Sequence, residues 1–164
     1  MKDYEMRRAT RRMKLEEAKN VLERGTYCTV SCIDENGRPY GVPLSYAYVH
    51  GEGEANGTLY FHTTNQGGRK IDAFVADGRA CATVVEDVAA RFESGSFTTG
   101  FSSVMASGHI RRVTDSVTIR KALVDLCMKY LPEHKRDIGA AMDADLHETA
   151  VWALDIEELS GKRN

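Results

Sequence analysis

Proline is scarce, at 3 of 164 residues, and no apolar run approaches the roughly 20 residues that cross a bilayer. With 42% of residues hydrophobic and 28% charged, the chain is no disordered, collagen-like or low-complexity sequence and can bury a core. The polar start Met1-Lys2-Asp3-Tyr4-Glu5 is no signal peptide, so the reading is a soluble, cytoplasmic protein with no membrane partner. A dominant charge is lacking too. The formal net charge of −2 leaves no broad basic field for a nucleic-acid backbone, although a local anion site stays open.

Familiar motifs are equally absent. Gly51-Glu52-Gly53 is not followed by the third glycine of a dinucleotide-binding loop, and no Gly-Lys-Ser, Gly-Lys-Thr or Gly-x-Ser-x-Gly occurs. His50, His62, His109, His134 and His147 pair neither with one another nor with cysteines at zinc-ligand spacing, so no metal site is expected. Cys28 and Cys32 share a strand-like segment that sets their Cα atoms ~13 Å apart, beyond the ~7 Å a disulfide tolerates. Cys81 and Cys127 lie among apolar neighbours, and all four cysteines read as small buried residues.

What is present is a succession of short elements filling one domain, residues 1–164. Leu15, Ala18, Val21 and Leu22 keep helical spacing up to Gly25, predicting a helix over 14–24. Alternation then sets in over 27–33, and Asp34-Glu35-Asn36-Gly37 supplies a hairpin turn into a second strand over 39–49. That strand puts Tyr40, Val42, Leu44, Tyr46 and Tyr48 on one face and Gly41, Pro43, Ser45 and Ala47 on the other. Further strands are expected over 58–64, 80–85, 103–113 and 150–156. A short helix follows Gly67-Gly68, a helix capped by Thr114 or Asp115 ends near Pro132, and a looser helix falls within 133–145. Residues 86–95 and 132–147 are expected to shape the mouth of a cleft. Six or so hairpin-ordered strands with brief helices favour a mainly β (α+β) chain, an antiparallel β-barrel with short flanking helices, which the resemblance given below implies to be a six-stranded split β-barrel.

Two local features carry chemistry. In Phe61-His62-Thr63-Thr64-Asn65-Gln66-Gly67-Gly68-Arg69-Lys70, a strand runs through hydroxyls and glycines into a helix start bearing two cations. The positive end of a helix disfavours Arg69 and Lys70 unless an anion sits there, and a phosphate would resolve that conflict. Solvated surface cations are the competing reading. The stripped face Gly41, Pro43, Ser45 and Ala47 leaves room for a flat ring, or for a closely packed helix, and Pro43 suits an edge strand whose free backbone groups could bond a ligand.

Together with Phe97-Thr98-Thr99, Ser103-Val104, Gly108 and the strand through Trp152 ending at Ser160-Gly161-Lys162, these segments resemble the pyridoxamine 5′-phosphate oxidase-like family of FMN-binding split barrels, and within it the nitroimidazole-resistance reductases. The resemblance implies a homodimer with FMN at the subunit interface. It places Val42, Pro43, Leu44 and Ser45 along the flavin ring and Thr63, Thr64, Arg69 and Lys70 at the ribityl chain and phosphate, with His62 beside them. Ser103 matches a polar contact from the partner subunit, and Trp152 a residue closing the cleft. The implied activity is an oxidoreductase passing electrons from a reduced nicotinamide, the small-molecule donor, to a small acceptor of the nitro or quinone type. Alternatives are a non-catalytic flavin- or haem-binding barrel, a deazaflavin enzyme, or pyridoxamine 5′-phosphate oxidase activity. The Arg-x-His substrate motif of those oxidases has no counterpart after Trp152.

Overall fold

In the computed structural model, described for residues 5–53 and 55–164, alternation of apolar and polar residues builds seven antiparallel strands. They are β1 (Cys28–Ile33), β2 (Pro39–Leu44), β3 (Ala47–Val49), β4 (Thr58–Thr64), β5 (Arg79–Glu93), β6 (Ser96–Arg112) and β7 (Thr149–Arg163). The helices are α1 (Leu15–Arg24), α2 (Arg69–Ala76), α3 (Ser116–Tyr130) and α4 (Ile138–Asp145). The strands form one sheet in the order β2-β1-β5-β6-β7-β4-β3.

Only Ser45 and Tyr46 separate β2 at one edge from β3 at the other. Three Cα steps span at most ~11 Å, whereas the edges of a flat sheet of this width would lie ~29 Å apart. The sheet must therefore curl until its edges meet, which makes a barrel with a split. The expected strand over 39–49 is thus two strands that serve opposite edges. Tyr46 turns inward at the break, fully buried, with its hydroxyl donating to the Leu22 carbonyl at 2.7 Å.

The barrel interior is the main core. Cys28, Val30, Leu59, Phe61, Val84, Val104, Trp152 and Leu154 fill it from the strands. Met13, Ala18, Val21 and Leu22 enter from the α1 segment, and Ala73 and Phe74 from α2. Asp115 caps α3 by accepting from the Thr118 amide at 2.7 Å, an arrangement worth about 1 kcal/mol. That helix lies on the outside of β4 and β7, where Ile119, Ala122 and Leu123 meet Tyr60, Val151 and Ala153 in a second, smaller core.

Among the described residues nothing covers the opposite outer face of the sheet, which is bare. Register aligns Pro43, Thr29, Thr83, Met105 and Ser160 in one row and Gly41, Ser31, Cys81, Ser107 and Glu158 in the next, with no charge before Glu158. Outward faces of antiparallel sheets are ordinarily polar and charged. Beyond Glu86, β5 pairs with β6 alone, so residues 87–99 make a two-stranded arm whose Phe92 and Phe97 rings stack at its end, 4.8 Å apart. Residues 86–95, expected to shape the mouth of a cleft, form the end of β5 and the tip of this arm. Among the described residues no helix is long and apolar enough to cross a membrane.

Candidate functional site

The site is assembled from the β2 edge, the end of β4 and the head of α2. Gly41 and Pro43 on β2, and Ser45 just beyond it, are exposed, while Val42 and Leu44 turn toward the core, half-buried. Because β2 is an edge strand, Pro43 removes no needed ladder donor, and the strand's outer backbone groups stay open to a ligand. Val42 and Leu44 therefore offer a ligand their edge backbone groups, with side chains that are only partly covered.

At the end of β4, Gly67 and Gly68 take φ of 84° and 112°, in the left-handed region that favours glycine. A Cβ built on either would meet nothing within 4 Å, so the chain passes through open space before α2. The amides of Gly68, Arg69 and Lys70 precede the first intrahelical bonds, which Ile71 and Asp72 donate to the Gly68 carbonyl at 2.8 and 3.1 Å. Unpaired amides, the positive helix end and a cation together suit a phosphate.

The two cations there are not equivalent. Arg69 bridges to Asp34 at 3.0 Å and lies over the Tyr40 ring, 4.5 Å from its centroid. Asp34 also accepts from the Asn36 and Arg38 amides at 3.0 and 2.9 Å, and these bonds, the Arg38 amide foremost, hold its carboxyl below the usual range. Lys70 makes no ion pair among the described residues. Its ammonium acts instead on His62, whose imidazole is held below its ordinary pKa first by burial and then by Lys70. Water reaches the ring, yet the cavity wall crowds it, and both influences favour its uncharged form.

His62 and Ser45 also line a cavity of about 410 Å³ that runs under α3 and α4. Its wall includes Leu126 and Cys127 from α3 and Ile138 and Met142 from α4. Residues within 132–147 thus do border the site, whereas none within 86–95 does.

The remaining expected residues fall elsewhere. Thr64 is exposed at the end of β4, its hydroxyl accepting from the Gln66 amide at 3.2 Å. Thr63 points into the barrel, where its hydroxyl donates to the Thr64 carbonyl and accepts from Trp152 Nε1 at 3.1 Å. Trp152 is 2% exposed and packs edge-on against Phe74, with centroids 5.3 Å apart. It closes no cleft: β7 alternation sends it inward, and it is a core residue. Ser103 sits on the bare outer face, between Val85 and Lys162, so only a second copy of the chain could bring it to this site. Sequence reasoning missed Asp34 and Tyr40 as the seat of Arg69. Their distance along the chain hides the contact, and the one available signal was an acid opening a turn on the strand before β2.

Comparison with known proteins places this geometry. No curated protein matches the sequence. Among solved structures, a candidate 5-nitroimidazole antibiotic resistance protein from Bacteroides thetaiotaomicron is 20% identical with a TM-score of 0.74, over 92% of this chain and 85% of that one. The flavocytochrome Anf3 from Azotobacter vinelandii is 21% identical with a TM-score of 0.77, over 98% and 72%. An FAD-binding protein from Mesorhizobium loti is 22% identical with a TM-score of 0.62, over 94% and 97%. At these identities the likeness speaks for the fold. The model of the pyridoxamine 5′-phosphate oxidase family matches residues 14–163, nearly the whole sequence, and the chain belongs to that family.

Proposed function

We propose that this protein is an FMN-dependent oxidoreductase that works as a homodimer, with the cofactor held where two copies meet. One observation carries the reading: an open glycine turn with Lys70 and amides unpaired among the described residues lies beside an exposed edge strand, joined to it by Arg69 over Tyr40, whose outer face is stripped to Gly41 and Pro43 and followed by Ser45. The residues fit the group. Lys70 and the amides of Gly68 and Arg69 would hold the phosphate, Thr64 would donate to it or to the ribityl chain, and the small face of β2 would lie along the ring. The names of solved relatives, a flavocytochrome and an FAD-binding protein, favour a flavin of some kind, and the single phosphate cradle favours FMN.

When bound, the flavin supplies two-electron chemistry that no side chain here possesses. The chain's own part is to position and to exclude. Edge amides of β2 donate toward the ring, Lys70 neutralises the phosphate, and uncharged His62 offers one nitrogen as donor or acceptor toward whatever occupies the apolar cavity. Electrons from a reduced nicotinamide would pass to a small acceptor of nitro or quinone type. The uncharged rows on the bare outer face are the surface for the second copy, and Ser103 on that face would reach the partner's cofactor.

Titration of the purified chain with FMN tests the reading, followed by rapid mixing with reduced nicotinamide. Stoichiometric uptake and bleaching of the flavin band are expected, and a chain that takes up no flavin refutes the proposal. A second reading, a barrel that holds haem or flavin without turnover, is favoured by His62, because a neutral imidazole facing an apolar cavity suits axial ligation. A haem absorption band in place of a flavin band would select it.

A further inference from the structure

We infer that the cavity under α3 and α4 is a second ligand site, separate from the phosphate cradle, built for an uncharged and largely hydrocarbon molecule. The inference deepens the redox reading, on which it rests, by naming the class of acceptor. At about 410 Å³ the space is of the size that takes a small organic ligand. Its wall is apolar side chain after side chain from α3 and α4, and Met142 adds an unbranched thioether that adapts to irregular shapes.

Charge decides the class. No lysine or arginine lines the cavity, and Asp145 is its one carboxylate. His62 is neutral there, and Ser45 is the remaining polar group beside Thr149 and the engaged hydroxyl of Tyr130. An anion entering this space would shed water against an apolar wall that carries, among the described residues, no lysine or arginine and does carry Asp145, with Lys70 acting only from behind His62, so it is disfavoured against a neutral molecule. A neutral quinone or nitroarene loses little and gains apolar contact, with polar atoms directed at Ser45 and His62. The two ends of the site are therefore sorted by charge. The glycine turn with Lys70 takes an anionic phosphate, and the cavity beyond His62 takes a neutral ring, so the two ligands do not compete.

The outer wall of the cavity is suited to admission. Helix α4 contains Gly139, Ala140, Ala141 and Ala144, and Ile138 is its one buried residue. A helix with so little buried surface opens at small cost.

Equilibrium calorimetry on the full chain without flavin tests this, with duroquinone as the neutral probe and mesitylenesulfonate as an anion of similar shape. Duroquinone is expected to bind at least tenfold more tightly than the sulfonate. Ala141→Trp, at an exposed position that lines the cavity, is expected to weaken duroquinone at least tenfold while FMN affinity stays within twofold. Asp145→Asn, which leaves the apolar wall intact, is expected to raise sulfonate affinity. Equal binding of the two probes, unchanged duroquinone affinity in Ala141→Trp, or loss of FMN binding in that folded variant would each overturn the inference, the last because the cavity would then seat the flavin ring. A chain that takes up FMN but not duroquinone sinks this inference alone, whereas one that binds duroquinone but no FMN sinks the flavin reading and leaves the cavity's preference standing.

Discussion

Asp34, on the turn between β1 and β2, holds the Arg69 guanidinium at the head of α2 through an Nη2 to Oδ2 contact of 3.0 Å. The contact divides labour between adjacent cations. Arg69 is already neutralised and flattened on Tyr40, so it braces the turn against the helix, and Lys70 is the charge left for an anion.

Lys70→Ala is therefore expected to weaken FMN binding by about 1 to 3 kcal/mol, the scale of a charge-assisted hydrogen bond. Arg69→Ala should cost less, under about 1 kcal/mol, as for an exposed ion pair. Calorimetric titration of both variants decides it, and the reverse ranking would assign the phosphate to Arg69.

Asp34→Asn keeps an oxygen for the Asn36 and Arg38 amides but gives up the ion pair. Released from it, Arg69 becomes available to the phosphate, and FMN should bind more tightly by up to about tenfold at low salt. The gain should vanish when Arg69→Ala is added, a coupling read from a double-mutant cycle. Undiminished tightening in the double variant would show that Arg69 is not the intermediary.

The division was only partly legible in the sequence. Hydroxyls, glycines and two cations in order after β4 pointed to a candidate anion site, because those signals are local. The ion pair to Asp34 joins residues 35 apart, and no periodicity reports such a contact. Alternation from Tyr40 to Tyr48 likewise continues through the break at Ser45, so one strand was expected where two serve opposite edges. Periodicity missed the strand over 86–93 and stopped β7 at 156, short of the end that the family resemblance gave it, because much of both stretches is exposed, which erases the period of two. Trp152 shows the same limit: alternation pairs it with Leu154 and Ile156 but cannot say which face is inward until β4 and α2 are in place.

Thr63→Val separates barrel from site. It removes the acceptor for Trp152 Nε1 inside the core, and a buried donor left unpaired costs about 1 to 3 kcal/mol. Urea unfolding should show that loss with FMN affinity unchanged per folded molecule. A weakened flavin without loss of stability would instead return Thr63 to the ribityl chain.

Thr83→Arg puts a charge at the centre of the uncharged outer rows, between Thr29 and Met105. Burying it without a partner is costly, so sedimentation should shift from a dimer to the single-chain mass of 18.2 kDa. FMN affinity should fall in parallel, because in the proposed dimer the second copy completes the cofactor site. Wild-type protein that sediments as a monomer, or a monomeric variant with full flavin affinity, would remove the interface from the site.

His62 gives a pH signature that reports on Lys70. Its folded-state pKa lies below the ordinary value because burial and the neighbouring ammonium both oppose the imidazolium. Within the window between the folded and unfolded values, the unfolded chain binds the proton that the folded chain refuses. Stability is therefore full above the unfolded pKa of about 6.5 and falls as pH drops toward the folded value. His62→Gln should lose that slope, so its melting temperature relative to wild type should rise as pH is lowered from 7 toward 5, roughly across that window. An anion on Lys70 cancels one of the two causes. FMN or inorganic phosphate should thus raise the His62 pKa in a proton NMR titration, and should do so no longer in Lys70→Ala. A His62 pKa unmoved by either ligand would mean that the phosphate does not bind beside Lys70.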